Sequence, residues 1–316
     1  MKILALGGCG DMGRMAVAIL LESPKVTSIT VADLNLERAK TFVDMVESDK
    51  LSAVQIDVTE KKKLIELMSN HDIVVNTIGP FYKFGTLILK ASIEAKKPYV
   101  DICDDWKPTL EMLELHDEAV NAQVSALIGM GASPGITNLM AMLACSELDE
   151  VDEVVTAWGM GQSKMGKKPK YFINPREFYR KFKTSPRIAN AAIIHFLYET
   201  LETIPTYKDG EVIYIKSLTE ALPLNFPGFK EAYVCHIGHP EPITLPRVIK
   251  ANSISNVMFI GKKPTELVKE LRQKIKNKEI TIEEAAINLA KETRKFLRNP
   301  LILKEFINYP PETCVI

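Results

Sequence analysis

The sequence has no excess of charge of either sign, because 40 Lys and Arg residues balance 40 Asp and Glu residues. Without a net positive field, binding to nucleic acid or to an anionic membrane surface is disfavoured. The sequence also lacks an apolar run long enough to span a bilayer, and the apolar stretch Ile3–Leu6 is too short for a secretory signal. We therefore expect a cytoplasmic protein that binds a small molecule, with no nucleic acid and no membrane as partner.

Cysteine is scarce and scattered. The five cysteines are Cys9, Cys103, Cys145, Cys235 and Cys314, and no two of them form a Cys-x-x-Cys pair. This spacing indicates neither a disulfide framework nor a cysteine-based zinc site.

The chain of 316 residues is longer than one typical hydrophobic core supports, so we expect two domains. Up to about residue 130, short β-branched apolar runs alternate with segments of helical spacing. The runs are Ile3–Leu6, Ser28–Ala32, Ala53–Val58, Asp72–Ile78, Tyr99–Ile102 and Val124–Ile128. This alternation predicts an α/β fold, with a doubly wound Rossmann domain over residues 1–135.

The pattern changes after residue 135. Strand-like runs are separated by longer polar or helical stretches, which predicts a second, mostly antiparallel α+β domain over residues 136–262. The runs are Val154–Trp158, Val212–Lys216, Ala232–Ile237 and Val257–Ile260. We expect this domain to bind substrate and to bury an open sheet face against a second copy, as a homodimer.

Two amphipathic segments follow, and they predict C-terminal helices over residues 263–316. The segments are Pro264–Lys276 and Thr281–Leu297. Thr281 and Glu284 have the spacing of a capping box, which marks the start of the second helix.

A glycine motif lies directly after the first predicted strand. Gly8-Cys9-Gly10-Asp11-Met12-Gly13 is a G-x-G-x-x-G sequence that opens a predicted helix, and Asp33 ends the second predicted strand. The glycines allow a tight turn and a close approach by a pyrophosphate, which the N–H groups at the helix N-terminus can bind. This context indicates a dinucleotide-binding site.

The residues around Asp33 favour NAD as the cofactor. Its carboxylate can accept the hydroxyls of the adenosine ribose, and Leu34 stands where NADP enzymes usually have Arg. Arg38, one helical turn further, keeps NADP open as the alternative.

Further cofactor contacts are expected at the carboxyl ends of the strands, where doubly wound sheets bind their ligands. The full expected set is Gly8, Gly10, Asp11, Met12, Gly13, Asp33, Arg38, Asp57, Val58, Asn76, Gly79, Pro80 and Pro134. Ser133 is expected to cap a helix that has Pro134 at its first position.

Three carboxylates follow the fifth predicted strand. Asp101, Asp104 and Asp105 lie within five residues, and crowded carboxylates raise one another's pKa toward the range of a general acid or base. Asp104 and Asp105 serve equally well as caps of the next helix. Asp101 is therefore our candidate for proton transfer, with Tyr82 and Lys83 as alternatives.

Four blocks of sequence resemble the saccharopine dehydrogenase-like superfamily, which includes lysine 6-dehydrogenase and carboxynorspermidine dehydrogenase. The blocks are Gly7–Arg14, Ala32–Ala39, Asn76–Asp101 and Gly131–Asn138, the last similar to the family's G-x-x-P-G-x-x-N turn. The resemblance implies a Rossmann domain, a second domain for substrate and dimer contacts, and C-terminal helices that return to the first domain. It also implies hydride transfer at a carbon bonded to nitrogen in an amino-acid or opine-type substrate.

An amino-acid substrate needs a partner for its carboxylate and one for its amine. Arg247 and the turn with Thr137 and Asn138 can supply the first, and carboxylates can supply the second. The expected substrate-binding residues are Asp105, Thr137, Asn138, His236, Glu241 and Arg247.

The histidines are weaker candidates for catalysis, and among them His236 is an alternative to Asp101. His71 and His116 are expected at the surface, and His195 is expected to pack on an apolar helix. His236 and His239, near Glu241, could ligate a metal. Hydride transfer to a nicotinamide does not require one, so we expect no metal.

Two other functions stay open. One is a redox sensor that binds NAD(P) without catalysis, which would not need the carboxylate cluster. The other is a dehydrogenase of a hydroxy acid or semialdehyde. A thiolate at Cys103 would be needed for aldehyde oxidation, but its acidic neighbours raise the pKa of a thiol.

Overall fold

The computed structural model describes residues 1–159, 168–181, 191–221, 223–225, 231–259, 262–298 and 313–315. These residues form two compact units. The first unit comprises Met1–Cys103, Lys107–Met130 and the later residues 168–181. The second unit comprises Asp104–Trp106 and the described residues of 131–159 and from 191 onward.

The first unit is a parallel sheet with helices between its strands. The strands are β1 (Lys2–Leu6), β2 (Ser28–Asp33), β3 (Leu51–Gln55), β4 (Ile73–Asn76), β5 (Tyr99–Asp101) and β6 (Ala126–Leu127), in the order β3-β2-β1-β4-β5-β6. The helices are α1 (Asp11–Leu20), α2 (Leu36–Val46), α3 (Lys61–Ser69), α4 (Phe81–Glu94), α5 (Trp106–Leu113) and α6 (His116–Asn121). This order is the doubly wound Rossmann arrangement, so the predicted fold is confirmed.

Helices cover both faces of this sheet, which explains why its central strand is apolar at successive positions. In β1, Ile3 and Ala5 face one hydrophobic cluster, whereas Leu4 and Leu6 face the other. Because successive side chains of a strand point to opposite faces, one short run supplies both cores.

A helix from later in the chain, α8 (Pro175–Lys181), belongs to this unit. Phe178 is fully buried, with its ring centroid 4.3 Å from the Arg14 guanidinium carbon. Asp11 receives hydrogen bonds from both Arg14, at 2.7 Å, and the Tyr179 hydroxyl, at 2.8 Å. These contacts hold α8 against the N-terminal turns of α1.

The second unit has a mixed sheet. Its strands are β7 (Glu153–Gly159), β8 (Thr203–Lys208), β9 (Glu211–Lys216), β10 (Leu224–Asn225), β11 (Glu231–Ala232), β12 (Cys235–His236), β13 (Ser253–Phe259) and β14 (Thr313–Val315). The main order is β14-β7-β13-β8-β9, with β12 also paired to β13. The predicted α+β class is confirmed, and the parallel pairing of β7 with β13 departs from an antiparallel sheet.

The helices of the second unit are α7 (Ile136–Cys145), α9 (Ala191–Leu201), α10 (Glu241–Thr244), α11 (Lys262–Lys276) and α12 (Ile282–Arg298), with a 3₁₀ turn at Leu245–Arg247. The predicted capping box is confirmed, because Thr281 Oγ1 accepts the N–H of Glu284 at 3.1 Å and Glu284 accepts the N–H of Thr281 at 2.8 Å. Nowhere in the described ranges is a helix long and apolar enough to cross a membrane. The cytoplasmic location stays a prediction.

Two local expectations are wrong. Ser133 does not cap α7, whose N-cap is Gly135 with φ of 110°, because the serine hydroxyl bonds to a buried carboxylate instead. His71 is buried rather than at the surface, since its ring nitrogens contact Leu67 O and Thr30 Oγ1, each at 2.8 Å.

Gly13 decides how closely α1 approaches the sheet. A Cβ at this position would lie 2.2 Å from Gly7 O and 2.8 Å from Thr77 Oγ1. At Gly10, a Cβ would meet only Gly7 O, at 3.0 Å.

We expect Gly13→Ala to lower the free energy of unfolding by on the order of 3 kcal/mol, because the added methyl overpacks a backbone contact. Helix propensity alone predicts the opposite sign, a gain of about 1 kcal/mol. Urea unfolding measures the change, with Gly10→Ala as the matched control. An unchanged or raised stability in Gly13→Ala would contradict the close packing.

Candidate functional site

The loop between β1 and α1 presents a helix N-terminus. Gly10 is the N-cap of α1 and has no side chain to bond the N–H groups of the first turn. Met12, in that turn, is 62% exposed. Free N–H groups and the positive end of a helix dipole bind a phosphate, so this loop fits the pyrophosphate of a dinucleotide.

Asp33 lies at the end of β2, as the glycine motif predicts. One carboxylate oxygen accepts the N–H of Asn35 at 2.9 Å, and the other accepts the Cys9 thiol at 3.0 Å. Burial, together with the Asp33 charge, raises the pKa of Cys9, so this thiol stays protonated and holds the carboxylate in place. The role of Cys9 was not inferred from the sequence, although it lies inside the glycine motif.

Arg38 reaches the same region from α2. Its guanidinium carbon lies 5.9 Å from the ring centroid of Phe178 and 6.0 Å from that of Tyr179. Its Nε is buried and has no hydrogen-bond partner in the part of the chain that the structure describes. The side chain is therefore able to donate to a further group.

The other expected cofactor residues of the first unit follow β3 and β4. Asp57 accepts hydrogen bonds from the backbone N–H and the hydroxyl of Thr59, and these bonds lower the pKa of its carboxyl group. They form a turn after β3, which ends at Gln55 and so earlier than the sequence predicts. Val58 is buried beside it. Asn76 ends β4, and Gly79 precedes Pro80 through a cis peptide bond. Pro134 lies in the second unit.

Asp101 ends β5 and is fully buried. Its Oδ1 accepts the N–H groups of Cys103, at 3.0 Å, and Gly129, at 2.8 Å. Its Oδ2 accepts the hydroxyl of Tyr99 at 2.8 Å, and that hydroxyl accepts the amide of Asn76 at 2.9 Å. This network connects the carboxyl ends of three neighbouring strands.

Tyr82 and Lys83 have a different setting. Both are exposed on the first turn of α4, at the carboxyl end of β4. The Lys83 ammonium lies 5.1 Å from the ring centroid of Phe84, and its charge contributes to lowering the pKa of Asp57.

In the second unit, the structure brings two expected residues, Thr137 and Asn138, close to Glu241, which is fully buried. Glu241 Oε1 accepts the hydroxyls of Ser133, at 2.5 Å, and Thr137, at 2.8 Å. Asn138 donates to Thr244 in the same helix as Glu241 at 2.9 Å. Burial raises the pKa of Glu241, whereas the Ser133 and Thr137 hydrogen bonds oppose that rise.

The second carboxylate oxygen, Glu241 Oε2, is buried without a hydrogen-bond partner among the described residues. His239 Nδ1 lies 3.7 Å from this oxygen and 3.1 Å from the Ser133 hydroxyl. Burial lowers the pKa of His239 to about 3, so its ring is neutral at neutral pH and packs on Trp158 with centroids 4.9 Å apart.

Two more of the expected substrate residues lie elsewhere in this unit. His236 is half-buried on β12, where burial lowers the pKa of its ring. Arg247 is exposed in the 3₁₀ turn after α10. Among the described residues, no hydrogen bond or ion pair joins either of them to Glu241.

His195 is not the simple packing residue that its apolar helix predicts. Its Nδ1 lies 2.8 Å from Asp105 Oδ1, so Asp105 pairs with α9. Burial lowers the pKa of His195, but Glu199 and Asp105 outweigh it and raise the pKa to about 10. Burial also raises the pKa of Glu199 well above its usual range.

The first unit matches a known family. The family model described as saccharopine dehydrogenase NADP binding domain matches residues 3–127. A 128-residue segment is 28% identical to saccharopine dehydrogenase [NADP(+), L-glutamate-forming] of Schizosaccharomyces pombe, over 40% of this chain and 27% of that protein. A 175-residue segment is 23% identical to carboxynorspermidine synthase of Vibrio cholerae, over 49% of this chain and 42% of that protein.

A solved structure shares the fold over most of the chain. Apo saccharopine dehydrogenase (L-Glu forming) from Saccharomyces cerevisiae aligns with a TM-score of 0.60 at 19% identity, over 85% of this chain and 57% of that one. This chain spans less than half the length of the two curated relatives. Residues 3–127 are therefore similar to the NADP-binding domain of saccharopine dehydrogenases, which confirms the resemblance drawn from the sequence blocks within that range.

Proposed function

We propose that this protein is an NAD(P)-dependent oxidoreductase that acts on a C–N bond of an amino-acid or opine-type substrate. The observation that carries the proposal is the uncapped N-terminus of α1 at the glycine loop, with Asp33 at the end of the neighbouring strand. The names of the relatives, saccharopine dehydrogenase and carboxynorspermidine synthase, support the substrate class. A bound nicotinamide would supply or accept the hydride.

Asp33 is proposed to select NAD. The Cys9 thiol and the Asn35 N–H hold its carboxylate in place, and a 2′-phosphate would meet that negative charge. Arg38, with its unpartnered Nε, is the group that would favour a 2′-phosphate instead.

We expect NADH to bind more tightly than NADPH. The dissociation constants of the two nucleotides, measured by nucleotide fluorescence, test this. Asp33→Ser should lower the ratio of the NADPH and NADH dissociation constants by about tenfold, since it removes the repulsion between the carboxylate and the 2′-phosphate. Asp44→Ser, at an exposed position on α2, is the matched control.

Gly10→Val should abolish binding of both nucleotides in a folded protein, because the valine side chain occupies the position of the phosphate. Tighter NADPH binding by the unmodified protein would make Arg38 the determinant.

The substrate amine is proposed to bind at Glu241. Its Oε2 is a buried carboxylate oxygen without a hydrogen-bond partner in the described ranges, and a buried acceptor in that state is costly. Ser133 and Thr137 orient the carboxylate through Oε1. Asp105, Asn138, His236 and Arg247, all in the second unit, remain proposed substrate-binding residues, with Arg247 for a substrate carboxylate.

For the proton transfer that accompanies hydride transfer, we propose Lys83. Its ammonium is exposed at the carboxyl end of β4, whereas both oxygens of Asp101 accept hydrogen bonds from the chain. Tyr82, also exposed, and Asp101 are the alternatives. In the reductive direction the lysine would donate the proton that the substrate nitrogen gains, and in the oxidative direction its neutral amine would accept it.

Lysine, saccharopine, ornithine and polyamines should be screened with NAD and NADP, and with the reduced cofactors plus amines and keto acids. In the reaction found, Lys83→Met should lower turnover by about 10²-fold or more and leave NADH affinity unchanged. Lys62→Met, an exposed lysine on α3, is the matched control.

Asp101→Asn separates the alternatives. If Asp101 only positions the loops, Asp101→Asn lowers the melting temperature and keeps its turnover, whereas Lys83→Met loses turnover. Full turnover in Lys83→Met together with its loss in a folded Asp101→Asn would assign proton transfer to Asp101. Tight NADH binding without turnover of any compound would instead favour a redox sensor.

We also propose a homodimer that forms through α7. This helix exposes Leu139, Met140, Met142 and Leu143, and Leu148 and Val248 are exposed as well. Large exposed apolar side chains that are grouped on one helix are typical of an interface.

Light scattering should give the mass of two chains at micromolar concentration. Leu143→Lys should shift it toward one chain, because Leu143 is 68% exposed and a charge there would be buried in the interface. Val120→Lys, on α6, changes a comparably exposed apolar residue and should leave the dimer intact. The mass of a single chain for the unmodified protein would contradict the proposal.

A further inference from the structure

His195 Nε2 lies close to carboxylate oxygens of both Asp104 and Glu199 inside the second unit. His195 Nε2 lies 3.4 Å from Glu199 Oε1 and 3.6 Å from Asp104 Oδ1. His195 and Glu199 lie four residues apart on α9, so their side chains share one face of the helix. Asp104 reaches them from the segment between β5 and α5.

Two of these atoms lack hydrogen bonds. His195 Nε2 and Glu199 Oε1 are both buried without a hydrogen-bond partner among the described residues. The Glu199 side chain is only 4% exposed, so water cannot freely compensate it. Buried polar atoms normally have a hydrogen-bond partner, and a bound ligand would remove the free-energy penalty of leaving these two without one.

Asp105 determines which histidine nitrogen can bind that ligand. Asp105 accepts a hydrogen bond from Nδ1 at 2.8 Å, so Nε2 is the nitrogen that faces Glu199 and Asp104 and that a metal ion would bind in exchange for its proton. A carboxylate behind a histidine in this way orients the ring and raises its basicity as a metal ligand.

The two separations from His195 Nε2 are close to those between ligand atoms of one metal ion. Ligand atoms about 2.1 Å from a tetrahedral metal ion lie about 3.4 Å from one another. The observed separations of 3.4 Å and 3.6 Å agree with the metal.

We propose that Asp104, His195 and Glu199 bind a divalent transition-metal ion, with Asp105 as the positioning residue for His195. One imidazole nitrogen and two carboxylate oxygens suit Zn²⁺ or Mn²⁺. Three protein ligands leave at least one coordination position for water or for an oxygen or nitrogen of a small molecule. The proposal does not depend on the dinucleotide or on the proposed reaction.

The test is Zn²⁺ titration of the full-length, chelator-treated protein by calorimetry, without nucleotide or substrate. We expect about one ion per chain, and at least about tenfold weaker binding in Asp104→Asn and in Glu199→Gln. Asp104 is partly exposed, so its variant is the less disruptive of the two, and circular dichroism checks that both are folded.

Asp105 is tested with Co²⁺ as the probe. Asp105→Ala should weaken binding by about 10- to 100-fold and change the visible Co²⁺ spectrum. Asp105→Asn, which can still accept the Nδ1 proton, should restore much of both. Identical Co²⁺ spectra and affinities in Asp105→Ala and the unmodified protein would show that Asp105 does not position His195.

Glu147→Gln and His116→Gln, both exposed, are the matched controls and should bind Zn²⁺ normally. No binding by the unmodified protein at millimolar Zn²⁺, or undiminished binding in folded Asp104→Asn and Glu199→Gln, would overturn the proposal. The cluster would then be an ion network whose variants change only the melting temperature. NADH binding measured on the same samples tests the proposed function separately.

Discussion

The buried carboxylate of Asp101 is the constraint on which the ligand-binding edge of the first unit depends. It accepts two backbone N–H groups, from the segments that follow β5 and β6, and the hydroxyl of Tyr99. Tyr99 extends the network to Asn76 at the end of β4, and Asn76 accepts the N–H of Ile78. A carboxylate inside a protein persists only when such donors replace its water. The same bonds therefore determine where the neighbouring loops begin.

The second unit uses buried carboxylates differently. Glu241 and Glu199 each have one oxygen that no described group satisfies, unlike Asp101. Unsatisfied acceptors of this kind lower stability, and they are the observation behind both ligand sites proposed for this unit. Burial keeps His239 neutral, whereas the charges of Glu199 and Asp105 keep His195 protonated in the ligand-free chain. Two histidines of one unit thus differ in charge because their neighbours differ.

Much of the first unit could be predicted from the sequence, because its signals are local. The β1 run, the glycine motif and Asp33 lie within about one βαβ unit, and each has a physical reason that does not depend on distant residues. The capping box at Thr281 and Glu284 belongs to the same class. Where the prediction was wrong, a distant partner was responsible. Ser133 has the local sequence of a helix cap, but its hydroxyl donates a hydrogen bond to Glu241, which is 108 positions away.

The amino-acid sequence by itself determined the fold class, the dinucleotide loop and the approximate start of most elements, since apolar periodicity and glycine geometry act over a few residues. Only the tertiary structure decided which polar side chains share a site. Asp105 and His195 are 90 positions apart, and the local sequence around each residue does not predict its contact with the other. Their pairing depends on how α9 packs in the second unit, and packing is a property of the whole chain rather than of any segment.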